Sequence, residues 1–246
     1  MDPDPPQPPE NLARRAEHAA EHAEELLPSW LRPGDPESRW PVLFALITAI
    51  VVQRLIPEQY TLVPRWPLIS LEVALVLVLL VLNPVRLSRS TVTGKYVSWV
   101  LLAAITVDNT LSAFHLDRKI VTGAVSNNPA VLLGGGAGIF VTNIIVFGVW
   151  FWELDRGGPF ARKAGENPYP DFMFPQMSGV PAQVARPDWR PTFVDYLYVS
   201  ITNVMAFSPT DTMPLSARAK LLMTVQATVA VSTLVLVVAR AVNVLP

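Results

Sequence analysis

The apolar residues of this chain are gathered into long blocks separated by charged and proline-rich stretches, and that distribution limits the fold more than any single motif. Inside a bilayer every backbone N–H and C=O must be satisfied within the protein, so apolar blocks of this length are expected to fold as helices. Five segments can span: Pro41 to Ile56, Pro67 to Leu82, Tyr96 to Leu116, Val131 to Leu154 and Leu221 to Leu245. The first two lie near the lower limit of about 17–25 residues for a spanning helix. Trp40 and Trp66 stand at their starts, and Trp150, Phe151 and Trp152 suit an interfacial aromatic belt near the end of the fourth. The expected fold class is all-α, a polytopic membrane protein of about five transmembrane helices with the lipid bilayer as its first partner.

Phe193 to Phe207 is a sixth apolar stretch, but it is only fifteen residues long and ends at Ser208-Pro209. As a helix it would cover about 22 Å, short of a hydrocarbon core of about 30 Å. The length predicts a re-entrant helix. A non-helical tail over Ser208 to Pro214 is tolerable at membrane depth only where it is buried in protein or lines water.

The segments between the blocks are distinctive. Met1 to Pro9 holds five prolines, reads as disordered, and lacks the basic start and apolar core of a cleavable signal. Asn11 to Leu27 reads as a charged helix, with Leu12, Ala16, Ala19, Ala20, Ala23 and Leu27 at helical spacing. Within it His18, Glu21 and His22 formally match an H-x-x-E-H zinc-peptidase pattern. With His115 as the only other histidine and no third ligand in view, solvated residues on an Ala/Glu-rich helix are the better account. Asp155 to Pro191 is a long loop rich in proline and glycine, with Asp171 to Gln176 and Trp189 as anchoring groups, expected to pack over the mouth of the short helix. The chain thus divides into 1–39, 40–130 and 131–246. No repeat is evident, which disfavours an inverted-repeat transporter.

Several function classes are excluded or disfavoured. With no cysteine among 246 residues there is no disulfide framework, thiolate metal site or cysteine nucleophile. A formal net charge of −1 argues against a nucleic-acid partner, which wants a clustered basic surface. No nucleophile and base pair emerges, so no catalytic residue, metal or cofactor is expected and the protein is read as no enzyme. Gly134 to Gly138 suits close helix packing; a phosphate-cradling loop would need Lys and Ser/Thr at the Walker spacing.

Polar groups inside apolar blocks are costly, and an ionisable one is a functional candidate by default. Asp108 and Asn109 sit near the middle of the third span, close to Thr106, Thr110 and Ser112. A charged Asp108 needs a water-lined cavity or a cationic partner. Asn143 and Gln226 are candidate hydrogen-bonding neighbours from the fourth and last spans, and Glu72 lies one turn inside the second, within reach of the interface. Interhelical hydrogen bonds, worth about 0.6–2 kcal/mol each, are the plain alternative for such groups.

Asp195 to Pro214, DYLYVSITNVMAFSPTDTMP, resembles the pore helix and filter of potassium-type ion channels. Asp195, Leu197, Tyr198, Ser200, Asp211 and Pro214 fall on the family frame, and Lys220, Leu221 and Leu222 resemble the start of its inner helix. The filter departs: Ala206, Phe207, Ser208, Pro209 and Thr210 stand where the family has T-V-G-Y-G. Potassium filters use rings of backbone carbonyls on unusual backbone angles that glycine reaches easily. Pro209 fixes its own φ and restricts Ser208, so potassium selectivity by that mechanism is not expected. The last span also lacks a hinge glycine between Lys220 and Leu245. The resemblance covers 131–245 as outer helix, loop, pore helix, degenerate filter and inner helix; the whole chain resembles a multi-pass bacterial membrane protein carrying such a module.

The resemblance implies a channel-like homo-oligomer, tetrameric by analogy, passing weakly selective cations or small solutes by Thr202, Asn203, Ala206, Phe207, Ser208, Pro209, Thr210 and Asp211. The rival is a non-conducting scaffold or subunit of a membrane complex, since fold does not fix function. Charge suggests the orientation. With five spans and one re-entrant helix, fourteen of the nineteen Lys and Arg fall on the side of the N-terminus and long loop. The positive-inside rule then places both in the cytoplasm of a plasma-membrane protein. Potassium-type channels insert the pore loop from outside, so the rule fails here, or Phe193 to Phe207 spans, or the module is reused in reverse; reversed reuse is the favoured reading.

Overall fold

The computed structural model describes residues 14, 27–35, 37–38, 40–61, 64–82, 92–178, 186–205 and 211–244. The zinc-like pattern and nearly all of the N-terminal charged helix expected over 11–27 lie outside these residues, as do Ala206 to Thr210. The described chain is mostly helical: α1 (Trp40–Leu55), α2 (Arg65–Leu82), α3 (Val92–Val121), α4 (Pro129–Leu154), α5 (Pro159–Ala164), α6 (Phe193–Met205) and α7 (Ala217–Val244). Two two-residue strands, β1 (Phe172–Met173) and β2 (Met213–Pro214), pair antiparallel with Phe172 opposite Pro214. Three helices are long and apolar enough to cross a membrane, those built on α3, α4 and α7; α1 and the apolar part of α2 over Trp66–Val78 are shorter.

The helix ends follow local chemistry that the apolar blocks do not display. Asn128 caps α4, its Oδ1 accepting the N–H groups of Ala130 (3.0 Å) and Val131 (3.4 Å), with Pro129 at the first helical position. Ser216 Oγ accepts from Ala219 N at the start of α7 (3.2 Å). These signals start both helices before the apolar residues do. The third apolar span, read as Tyr96 to Leu116, is a helix running from Val92 to Val121, because Lys95 and then Asp117, Arg118 and Lys119 continue it with polar groups.

Contacts at the helix ends give the direction of each. Glu37, just before α1, receives Trp152 Nε1 from the end of α4 (2.6 Å), while Ile56, just after α1, lies against Gly138 early in α4. Hence α1 and α4 are antiparallel. Val237 late in α7 lies against Gly136, and Ala230 clusters with Ile144, so α7 is antiparallel to α4 as well. Trp99, early in α3, meets Trp150 edge-on at 6.3 Å, and Leu116, late in α3, clusters with Leu132 early in α4, which sets α3 antiparallel to α4; Trp150 Nε1 also donates to Thr106 Oγ1 (2.9 Å). One end of the bundle therefore carries Glu37, Asp155 and the start of α7. The other carries the turn at Glu58–Tyr60, residues 121–128 and the end of α7, where Arg240 Nη2 donates to Asn127 Oδ1 (3.0 Å).

α4 is the axis of the assembly, with a run from Thr142 to Val149 buried without interruption. Around it Leu43, Leu46, Ala49, Leu101, Ile105, Phe147 and Phe151 form the main core. The outward faces remain apolar, Phe44, Val81, Val107 and Val242 each being more than half exposed. Apolar surface on that scale is foreign to soluble monomers and fits lipid.

Small residues set the closest approaches. A Cβ on Gly136 would meet both Cγ atoms of Val237 at 2.9 Å, whereas one on Gly134 would meet nothing within 4 Å. Valine is stiff at χ1, so relief at Gly136 requires α7 to move. Gly136→Ala is expected to lower the detergent-solubilised protein's stability by about 1–3 kcal/mol. Gly134→Ala is expected to leave it unchanged or raise it by up to about 1 kcal/mol through helix propensity. Thermal unfolding of the two variants checks both signs.

Candidate functional site

α6 begins at a capping arrangement: Thr192 N and Oγ1 both donate to Asp195 Oδ2, at 2.7 and 2.8 Å. Thirteen residues follow, with Phe193, Tyr196, Val199, Ser200, Asn203 and Val204 buried on one face. Those positions recur three and four apart, so a single side of the helix enters the bundle. At about 1.5 Å per residue α6 is roughly 20 Å long, half the length of α4.

Side chains rather than apolar contact alone fix α6 in place. Ser200 Oγ donates to Ile144 O of α4 (2.6 Å). Gln226 Nε2 of α7 donates to Ser200 O (3.1 Å) and Oγ (2.6 Å). Asn203 Nδ2 donates to Gln226 Oε1 (2.8 Å) and Met223 O (3.0 Å). Gln226 thus serves α6, and the third-span carboxylate it was expected to neighbour has another partner. Asp108 Oδ2 accepts Gln53 Nε2 of α1 (3.0 Å). The physical reason is direction: α3 turns Asp108 toward α1, while α7 turns Gln226 toward α6. Gln53 is the residue that reading the sequence missed, although a glutamine three residues before the end of an apolar block was a visible signal.

The other polar candidates separate. Asn109 and Asn143 are 3% and 1% exposed; Asn109 Oδ1 and both amide atoms of Asn143 have no hydrogen-bond partner among the described residues. Glu72, placed near the interface by sequence, is 1% exposed and faces the bundle. Of the filter-like positions, Thr202 Oγ1 bonds back to Tyr198 O (3.0 Å), Asn203 is buried, and Asp211 is exposed. Ala206, Phe207, Ser208, Pro209 and Thr210 lie outside the described residues.

An open groove of about 360 Å³ runs beside Asn203, lined also by Pro214, Lys220, Thr224 and Thr228. Lys220, Thr224, Thr228 and Ser232 recur at every fourth residue of α7 and are all exposed. They draw a polar stripe along a helix whose other residues are mostly Val, Leu and Ala. Thr224 Oγ1 donates to Lys220 O and Thr228 Oγ1 to Thr224 O, both at 2.8 Å.

A second polar centre, built largely from the 155–191 segment, closes the end of the bundle. Asp155 is fully buried directly after α4. Its Oδ1 accepts Asp171 N (2.7 Å) and Phe172 N (3.3 Å), and its Oδ2 accepts Tyr196 Oη (2.6 Å). Arg162 is held between Glu37, at 2.9 Å from Nε to Oε1, and the carbonyls of Trp152 and Asp155, at 2.6 and 2.9 Å from Nη1. Its guanidinium lies 5.2 Å from the Tyr196 ring centroid and 5.6 Å from that of Trp152. Phe172 and Phe174 pack on Tyr196 at 6.3 and 5.3 Å, and Trp189 lies 5.7 Å from Phe174. Among the described residues no cluster of three or more His, Asp or Glu could hold a metal ion.

A scan against protein-family models and searches of curated proteins and of solved structures return no match.

Asp171 bonds Arg218 at the start of α7 through Oδ1 (2.6 Å) and Oδ2 and also accepts Arg156 N (3.1 Å). Burial pushes its carboxyl up, but Arg218, Ser216 and the Arg156 N–H together hold it below the ordinary carboxylate range. A carboxyl depressed on folding stabilises the fold above its unfolded pKa and ceases to do so as pH falls through the folded value. The thermal-stability gap between native protein and Asp171→Asn is therefore expected to be widest near neutrality and to close on acidification below the ordinary carboxylate range. A gap that widens in acid would contradict this assignment.

Proposed function

We propose that the protein is a multi-pass membrane protein whose α1, α2, α3, α4 and α7 span, whose α6 is re-entrant, and whose oligomer conducts weakly selective cations or small solutes. The polar stripe of α7 carries this reading. On a spanning helix, exposed Lys220 needs water or a protein neighbour, Thr224, Thr228 and Ser232 continue its line, and a conduit between subunits supplies water. Two further observations support it. Tyr196 at the start of α6 packs on Phe172, and Phe172 pairs with Pro214 after α6, so the chain enters and returns beside the same strand. Asp211, exposed just before β2, supplies a carboxylate at the mouth. The sequence likeness to potassium-type pore modules motivates a tetramer.

Liposomes containing purified protein are expected to show a cation or solute flux that Asp211→Asn and Thr224→Val each change at least severalfold. Absence of flux across ions and voltages would remove the conduit. A second reading, a non-conducting scaffold, is favoured by one observation: Thr224 and Thr228 satisfy their hydroxyl hydrogens on their own helix, which makes them tolerable in a dry contact between subunits. That reading expects a stoichiometric assembly and no flux.

Orientation is testable separately, because the chain has no cysteine. Ser178, exposed after β1, reports the loop-bearing end. With the N-terminus and that end in the cytoplasm, Ser178→Cys is expected to resist a membrane-impermeant thiol reagent in intact cells and to react after permeabilisation. Labelling from outside would reverse the topology.

A further inference from the structure

At the loop-bearing end a cavity of about 100 Å³ opens beneath Trp30, between the turn after α4, α5 and the segment entering α6. Arg156, Arg162, Lys163 and Arg190 line it, against the carboxylates of Asp35 and Glu37. Glu37 is already engaged by Arg162 and Trp152. Asp35 then leaves one carboxylate against Arg156, Lys163 and Arg190, so the remaining wall carries a net positive charge.

Arg156 is the decisive residue. It is 1% exposed, its Nε donates to Asn167 O (2.7 Å) and its Nη1 to Trp30 O, yet its Nη2 has no partner among the described residues. The Trp30 ring lies 5.5 Å from its guanidinium carbon. A buried guanidinium without a full set of acceptors is costly, and its charge favours an anion in the cavity it lines. Lys163 lies on α5, and Arg190, whose Nη2 also donates to Pro33 O (3.0 Å), lies on the segment leading into α6. Cations from two elements with a buried guanidinium behind them suit a multiply charged anion better than a single carboxylate. The volume is enough for one such group.

We propose that this cavity binds a phosphoryl group, held by Lys163 and Arg190 beneath Trp30 with the buried Arg156 guanidinium behind them. It lies beside Trp152, at the aromatic end of α4, where either a phospholipid headgroup or free phosphate could reach it. The inference is independent of conduction.

Arg156 also ties Trp30 and Asn167 together, so its replacement risks the fold, and Lys163→Gln and Arg190→Gln are the informative variants. Purified full-length protein in an uncharged maltoside detergent is titrated calorimetrically with inorganic phosphate. In parallel, native mass spectrometry follows retention of phosphatidylglycerol against diacylglycerol, which lacks the phosphate. Saturable binding weakened about tenfold by each substitution, and unaltered by Arg118→Gln at the opposite end, is the expected result. Binding of phosphate alone assigns the free anion, and retention of phosphatidylglycerol alone assigns the headgroup. Failure of both probes to saturate, or binding indifferent to both substitutions, overturns the proposal.

Discussion

The buried carboxylate of Asp155 is the junction on which the C-terminal half depends. It stands where α4 ends, and its two oxygens gather a backbone donor pair from β1 and the phenol of α6. A carboxylate without these partners would be too costly at a site fully shielded from water. Its burial therefore requires that the loop return to α4 and that α6 start beside it. The turn that follows is fixed by Arg156, Gly157 and Gly158, all at positive φ, so the chain doubles back at once instead of extending α4. From that reversal come α5, the strand pair and the ion pair to α7.

Beyond this junction, polarity and close packing divide the work. At the opposite end of α4, Gly135, Gly136 and Gly138 receive Tyr60, Val237 and Ile56, so α1, the turn after it and α7 approach on bare backbone. Halfway along, Ser200, Asn203 and Gln226 form one connected set among α4, α6 and α7. Apolar contact alone has little driving force between helices in lipid, because the tails are as apolar as leucine. Hydrogen bonds then give a helix of thirteen residues, too short to be fixed by spanning, a defined depth and rotation.

Much of this was legible from residues, and what was not has physical causes. Apolar blocks locate five of the helices, three of them long and apolar enough to cross a membrane, because burial and lipid both select apolar side chains. They misplace the ends of α3, since polar residues extend a helix as readily as they terminate a span. The brevity of the Phe193 stretch points to a short helix, and α6 is described over Phe193–Met205. Pairings were hidden. Nothing in the spacing says that Gln226 faces α6 or that Gln53 reaches Asp108, because rotation about each helix axis is set by its neighbours. The polar centre around Asp155 and Arg162 was missed for a similar reason. Its members, from Glu37 to Arg218, are spread over the chain and look singly like loop charges.

The remaining question is how a polar stripe survives on α7. Donation to the carbonyl four residues back, seen at Thr224 and Thr228, removes the hydroxyl hydrogen from the surface and leaves an acceptor oxygen exposed. Such a surface is tolerable against lipid and attractive to a hydrated cation, so the threonines alone are compatible with either neighbour. Lys220 is not, because an ammonium has only donors and is strongly hydrated. Its position one turn inside α7, beside the open groove and in line with the threonines, fixes one end of the stripe in water. The inner face of α6 cannot supply a lining, since Ser200 and Asn203 already spend their donors on α4 and α7. On the proposed conducting reading a hydrated path would therefore follow the exposed stripe of α7 toward Asp211 and be completed by a neighbouring subunit, because in a single chain that stripe is open.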